Sequence, residues 1–240
     1  MNFEEFCSLF RFAAEKNGIL TLGQDKIEMF YEFTRYLLEV NQITNLTAIR
    51  EEREIIYKHY IDSLLVEPLI PEGARVLDLG CGPGFPSIPL AIAREDVSVV
   101  ALDSTAKKID FVNKSTKTLQ ISNLKGEVGR AEDAKTRKNL GEFDIVVSRA
   151  VARLNVILEL GVPYCKLGGR LIAMKGAKGK EELVEAKKAL ATLSSTLVDE
   201  NKTVLHADDE ESRYLIEIIK NKSTPACYPR SYAAILKKPL

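Results

Sequence analysis

The chain has 240 residues, 45% of them apolar and 28% charged, and Lys+Arg and Asp+Glu both number 34. That composition excludes disorder, collagen and coiled coil as overall descriptions. Zero net charge excludes a basic protein but not a nucleic-acid partner, because patches matter more than totals.

The first 70 residues read as helices. Phe3, Phe6, Phe10 and Ala13/Ala14 recur at helical spacing, as do Ile27, Phe30, Phe33, Leu37 and Leu38. Thr47 to Glu51 looks like the start of a third helix running toward Pro68. The pattern then changes to short apolar runs at Arg75–Leu79, Val97–Leu102, Asp144–Val147 and Arg170–Met174, with helical stretches such as Ala106–Leu119 and Leu154–Tyr164 between them. Strands alternating with helices predict βαβ units and a mostly parallel sheet. Ser195–Leu205 and Tyr214–Ile219, joined by a polar acidic turn, predict a closing antiparallel pair. The expected organisation is a helical extension over 1–70, an α/β domain over 71–222 and a basic tail over 223–240.

No apolar run reaches about 18 residues, so no membrane span is expected. Met1-Asn2-Phe3-Glu4-Glu5 lacks the parts of a signal peptide. Cys7, Cys81, Cys165 and Cys227 show no metal-ligand spacing. The expectation is a soluble, cytoplasmic, metal-free monomer.

The informative segment is Asp78-Leu79-Gly80-Cys81-Gly82-Pro83-Gly84-Phe85-Pro86, between a predicted strand and a helix. Glycines there let the backbone turn sharply and approach a ligand, with Gly80 and Gly82 in the cradle. A dinucleotide fingerprint needs a glycine where Phe85 stands. The pattern Asp-x-Gly-x-Gly-x-Gly resembles motif I of class I S-adenosylmethionine-dependent methyltransferases, whose ligand has an ammonium that Asp78 can favour directly or through water. Pro86 and Pro89 sit where a missing amide donor costs little. Asp103 ends the second strand, about 20 residues on, placed to accept both hydrogen bonds of a ribose diol. Gly129-Arg130-Ala131-Glu132 and Ser148-Arg149-Ala150-Val151 lie at carboxyl ends of predicted strands, where open α/β sheets bind ligands.

The loop with its Phe-Pro-Ser-Ile-Pro continuation, Leu-Asp-Ser with Lys107-Lys108-Ile109, Gly-Arg-Ala-Glu and Ser-Arg-Ala-Val-Ala together resemble the RsmG family, also called glucose-inhibited division protein B. Asn45-Leu46-Thr47, His59-x-x-Asp62-Ser63-Leu64, Tyr228-Pro229-Arg230 and Lys238-Pro239-Leu240 extend the resemblance over almost the whole chain. It implies a class I, Rossmann-like methyltransferase fold in which the 71–222 segment is the methyltransferase domain. The implied activity is methylation of a guanine in 16S ribosomal RNA, with S-adenosyl-L-methionine as cofactor and S-adenosyl-L-homocysteine as product. The free rRNA or the small-subunit particle is the implied partner. The family's cofactor contacts fall on Gly80, Phe85, Ala131, Glu132 and Arg149. The tail departs from the family where Ala233 and Ile235 replace a Gly and a Pro.

Ring nitrogen 7 of guanine has an in-plane lone pair and no proton to lose, so attack there needs no general base, and alignment supplies the acceleration. No Asn-Pro-Pro-Tyr segment and no paired cysteines point to other acceptors. Cys81 and Cys165 read as packing residues and His59 as a hydrogen-bonder to Asp62. Arg130 and Arg149 are acceptor-side candidates. Arg130, Arg149, Arg153, Lys175, Lys178 and Arg230 are candidates for RNA contact, and Phe85 or Tyr164 for stacking on the base. The rival readings are a NAD-dependent reductase on a Rossmann-like fold and a non-catalytic nucleotide-sensing domain.

Overall fold

The computed structural model describes residues 1–19, 22–207 and 210–240. Asp208 and Asp209, in the expected acidic turn, lie outside them. Helix α1 (Phe3–Lys16) starts on a capping box: the Asn2 side chain accepts the Glu5 N–H and the Glu5 carboxylate accepts the Asn2 N–H, both at 2.9 Å. Helix α2 (Gln24–Thr44) follows. Then α3 (Glu52–Glu54), a π-helical stretch Ile55–Ile61 and α4 (Asp62–Leu64) run on continuously. The third helix thus starts at Glu52. Thr47 stays outside it, because its hydroxyl accepts the Ile49 N–H at 3.2 Å and pairs with His59.

The α/β part runs β1 (Arg75–Leu79), α5 (Ser87–Ala93), β2 (Ser98–Asp103), α6 (Ala106–Thr118), β3 (Leu124–Val128), α7 (Ala134–Leu140), β4 (Phe143–Arg149), α8 (Leu154–Gly161) and β5 (Cys165–Lys175). It continues through α9 (Gly179–Glu185), α10 (Lys187–Thr192), β6 (Ser195–His206), β7 (Glu210–Lys220) and α11 (Tyr232–Lys237). One seven-stranded sheet has the order β3-β2-β1-β4-β5-β7-β6. β1 to β5 pair in parallel, whereas β7 runs antiparallel to both β5 and β6. The direction of the strand order reverses between β1 and β4, which leaves a crevice at their carboxyl ends.

The central strands β1, β2, β4 and the second half of β5 are buried on both faces, which is why they read as continuous apolar runs, whereas β3 and β6 are polar and largely exposed. Val76, Ile145, Val147 and Ile172 face the N-terminal helices, α5 and α6. Leu77, Leu79, Val146 and Leu171 face α8 to α11. The N-terminal helices share the first core: Phe10, Phe30, Phe33 and Tyr60 form an aromatic cluster that reaches Phe85 and Phe111. They also clasp the β6–β7 hairpin, where Asn17 exchanges hydrogen bonds with the backbone of His206 at 2.8 and 3.1 Å. The extension therefore forms one wall of the crevice.

Candidate active site

A cavity of about 500 Å³ opens at the carboxyl ends of β1, β2 and β4, within the ordinary range for a small-molecule site. The glycine loop forms its floor. The Gly80 and Cys81 N–H groups donate to the Leu102 carbonyl at 2.8 and 3.1 Å, tying the loop to β2. Gly80 has φ +76° and a Cβ there would meet Val151 at 2.5 Å. Gly82, at φ +57°, would meet nothing within 4 Å, so its backbone stands open to the cavity. Gly80, Gly82, Phe85, Asp103, Ala131, Glu132 and Arg149 all line the space.

Asp78 does not. Its carboxylate is fully buried and turns into the start of α5, accepting the backbone N–H of Ser87 at 2.9 Å and the Ser87 hydroxyl. Burial pushes its pKa up to about 7, and its Oδ1 has no protein partner. Asp78 thus shapes the loop from behind. Asp103 is the acid on the cavity wall. Its oxygens accept the Gly82 N–H at 3.0 Å and the Thr105 N–H at 2.8 Å. Each carboxylate oxygen can accept a second hydrogen bond, so a vicinal diol fits there.

At the other side Glu132 is held by Arg130 at 2.8 Å, and the Arg130 guanidinium lies over the Tyr232 ring, 5.8 Å from its centroid. Tyr232 comes from the tail and completes the wall. Tyr164 is not available for stacking: it is fully buried and its hydroxyl donates to the Ala131 carbonyl at 3.0 Å, fixing that residue. An open glycine at position 82, an acid with spare lone pairs and an aromatic wall fit an adenosyl ligand.

The far end of the cavity is built by the N-terminal helices. Arg149, at the end of β4, donates to the Lys58 carbonyl at 2.8 Å and to Asp62 Oδ2 at 2.9 Å, and approaches His59 Nδ1 at 3.4 Å. A guanidinium only donates, so Nδ1 accepts and the imidazole proton sits on Nε2, which donates to the Thr47 hydroxyl at 2.9 Å. Burial, and then the Arg149 charge, hold the His59 pKa down at about 3, leaving the ring neutral. His59 thus pairs with Thr47 and Arg149 rather than with Asp62. The Asp62 carboxylate is taken by two guanidiniums, Arg149 on Oδ2 and Arg213 of β7 on Oδ1 at 2.6 Å.

The basic residues divide. Arg130 and Arg153 are exposed, the latter paired with Glu185, and Lys178 is exposed beside the chain leaving β5. Lys175 is not an RNA contact: it is buried, donating to the Ala152 carbonyl and to Glu182 at 2.8 Å. Arg230 is likewise committed. It grips the fully buried Glu159 through its guanidinium and its own backbone N–H at 2.9 Å. That pair fixes the tail, with Ile235 buried under it. Cys81 and Cys165 are buried, and burial pushes both thiols up, Cys165 to about 12. Sequence reasoning did not assign Thr47, Asp62, Arg213 or Tyr232 to the site. Thr47 and Asp62 stood in quoted N-terminal motifs, whereas nothing in the sequence marked Arg213.

A family model described as rRNA small subunit methyltransferase G (GidB) matches residues 26–213. The ribosomal RNA small subunit methyltransferase G of Desulfitobacterium hafniense (strain Y51) is 43% identical over 222 residues, covering 92% of each chain. That of Clostridium botulinum (strain Eklund 17B / Type B) is 39% identical over 239 residues, 98% of this chain and 99% of the relative. Among solved structures, the Methanococcus jannaschii fibrillarin pre-rRNA processing protein superposes with a TM-score of 0.53 at 18% identity, over 68% of this chain and 74% of that one. M. jannaschii TYW2 in complex with AdoMet gives 0.52 at 16%, over 63% and 71%. The two solved structures share the methyltransferase fold, and the two sequence relatives share nearly the whole length. The chain belongs to the GidB family of rRNA small subunit methyltransferases G.

Proposed function

We propose that this chain transfers the methyl group of S-adenosyl-L-methionine to ring nitrogen 7 of a guanine in 16S ribosomal RNA. The cofactor supplies, when bound, an electrophilic methyl on a sulfonium. Gly80 and Gly82 leave the backbone open to it, Asp103 accepts from its ribose, and Ala131 and Glu132 with Tyr232 flank its base. The observation that carries the acceptor is the state of the titratable side chains on the cavity wall. His59 is neutral with both ring nitrogens engaged, Asp103 is tied to backbone N–H groups, and Glu132 is held by Arg130. The histidine on this wall thus has no free nitrogen with which to take a proton, and N7 of guanine needs no base. Holding donor and acceptor in line and excluding water supply the rate.

The test incubates the protein with labelled S-adenosyl-L-methionine and, separately, 16S rRNA and small-subunit particles from cells lacking the modification. Nuclease digestion and mass spectrometry should find 7-methylguanosine, in whichever RNA form is the substrate. A methyl on another atom, or no transfer to either RNA, would falsify this assignment.

A further inference from the structure

A second cavity of about 250 Å³ adjoins the cofactor cavity, and Arg149 and Ala150 line both. The shared boundary is strained: Ala150 has φ +53°, a left-handed conformation that costs a residue with a Cβ about 1–2 kcal/mol and that collects at functional sites. The walls of the second cavity are of two kinds. Leu65, Met174 and Leu215 supply apolar surface, suited to the faces of a flat ring. Arg149 and Arg213 supply donors.

Asp62 positions those donors. Both of its oxygens are occupied by the two guanidiniums, so it orients them instead of facing a ligand. Arg149 also spends donors on the Lys58 carbonyl and His59, and Arg213 on the Ser212 carbonyl and Glu211. A guanidinium has five N–H donors, so each of these two lining arginines retains unused donors. The remaining charged neighbour, Lys175, is matched by Glu182. The cavity therefore presents hydrogen-bond donors over an apolar lining. Its rim is open at Gly176, which is exposed and has no atom within 4 Å of a built Cβ, and Lys178 stands exposed two residues on.

Resting on the methyltransferase reading above, we propose that this second cavity receives the acceptor base, and that Arg149 and Arg213 select a 6-oxopurine by donating to its C6 carbonyl oxygen. On guanine, O6 and N7 lie side by side as two acceptors, whereas adenine presents an amino donor in place of O6. A base whose N7 faces the cofactor cavity, at the boundary the two cavities share, brings O6 to the arginines. Adenine in the same pose sets donor against donor and leaves both buried and unpaired, which is the more costly outcome. Arg149 and Arg213 are thus specificity residues for the acceptor, and Asp62 a positioning residue for both.

The test pairs the protein with 16S rRNA carrying guanine or 2-aminopurine at the acceptor position; 2-aminopurine keeps N7 and lacks O6. The wild type should lose about ten- to a hundredfold in kcat/KM on the analogue, the loss of a hydrogen bond to a charged group. Arg213→Met should lose part of that factor on guanine, because Arg149 still donates, and little more on 2-aminopurine, which already lacks the oxygen that Arg213 meets. Cofactor binding by calorimetry reports folding. If Arg213→Met fails there, Arg213→Lys, which keeps a charge beside Asp62, takes its place and should show an intermediate preference. Equal rates on the two RNAs, or losses that multiply, would overturn the proposal. A wild type that methylates no RNA at all would instead overturn the reading on which it rests.

Discussion

The His59 imidazole lies flat on the Phe85 ring, centroids 4.2 Å apart and planes 12° from parallel. A residue of the π-helical turn thus covers the aromatic side chain that ends the glycine loop. The Arg149 guanidinium sits over the same ring, 5.5 Å from its centroid, and Phe33 and Tyr60 pack at its edge. Phe85 is held among protein groups, so its contribution is to fix the loop rather than to swing out and stack on RNA.

This stack gives a pH signature. The His59 pKa falls from 6.5 to about 3 on folding, so the unfolded chain takes up a proton between those values and the native protein does not. Stability from this group rises with pH from about 3 to 6.5 and is level above. Asp78 acts in the opposite sense: its pKa rises from 3.8 to about 7, so stability falls as pH rises through that window. In His59→Phe, which keeps an aromatic ring on Phe85, only the falling slope should remain. Urea denaturation at intervals from pH 4 to 8 reads this directly; parallel profiles for variant and wild type would refute it.

Gly80→Ala should weaken cofactor binding by roughly tenfold or more, since a left-handed backbone alone costs about 1–2 kcal/mol with a Cβ and the added atom runs into Val151. Gly80→Asp should abolish binding. Adding Val151→Ala to Gly80→Ala removes the collision but not the backbone cost, and should restore part of the affinity. Full restoration in calorimetry would mean that the backbone conformation contributes nothing.

Asp103→Ala removes the acceptor for a ribose diol and also frees the N–H groups of Gly82 and Thr105. A loss of at least about 1.5–3 kcal/mol in cofactor binding is expected, the worth of hydrogen bonds to a charged group. Unchanged affinity in a folded variant would move the ribose contact to another residue.

Arg230→Ala leaves the buried Glu159 carboxylate without its guanidinium and with only the backbone N–H of residue 230, and loss of the charged partner costs about 3–5 kcal/mol in comparable buried pairs. It should also weaken cofactor binding, because the segment carrying Tyr232 loses its anchor. Replacing both Glu159 and Arg230 with leucine should recover most of the stability. Equal destabilisation in the single and double variants would show that the tail is held by apolar packing alone.

The central sheet was legible because β1, β2, β4 and β5 carry short apolar runs, which β3 does not, and the cavity wall because Gly80, Asp103 and Arg149 stand at strand ends. What stayed hidden were commitments between distant residues. Asp78 reads as a ligand acid, yet its partner Ser87 is on the next helix. Lys175 and Arg230 look like solvated cations in basic runs, but each meets an acid, Glu182 or Glu159, carried by a different helix. Glu159 sits in an apolar stretch where nothing announces a buried charge. Arg213 lies in the polar first part of a hairpin strand, and its importance appears only when β7 is laid beside β5 and brought to Asp62.

Asp62 joins segments 87 and 151 residues away along the chain. Contacts of such separation require large loops to close before they yield any stabilisation, so they are among the slowest to form. The loop, β1 and β2 that cradle the methyl donor are neighbours in sequence and can assemble early. The chamber beside Arg149 waits for the last strand to dock. Gentle heating should therefore loosen the Arg213–Asp62 contact before it loosens the glycine loop and the two strands beside it.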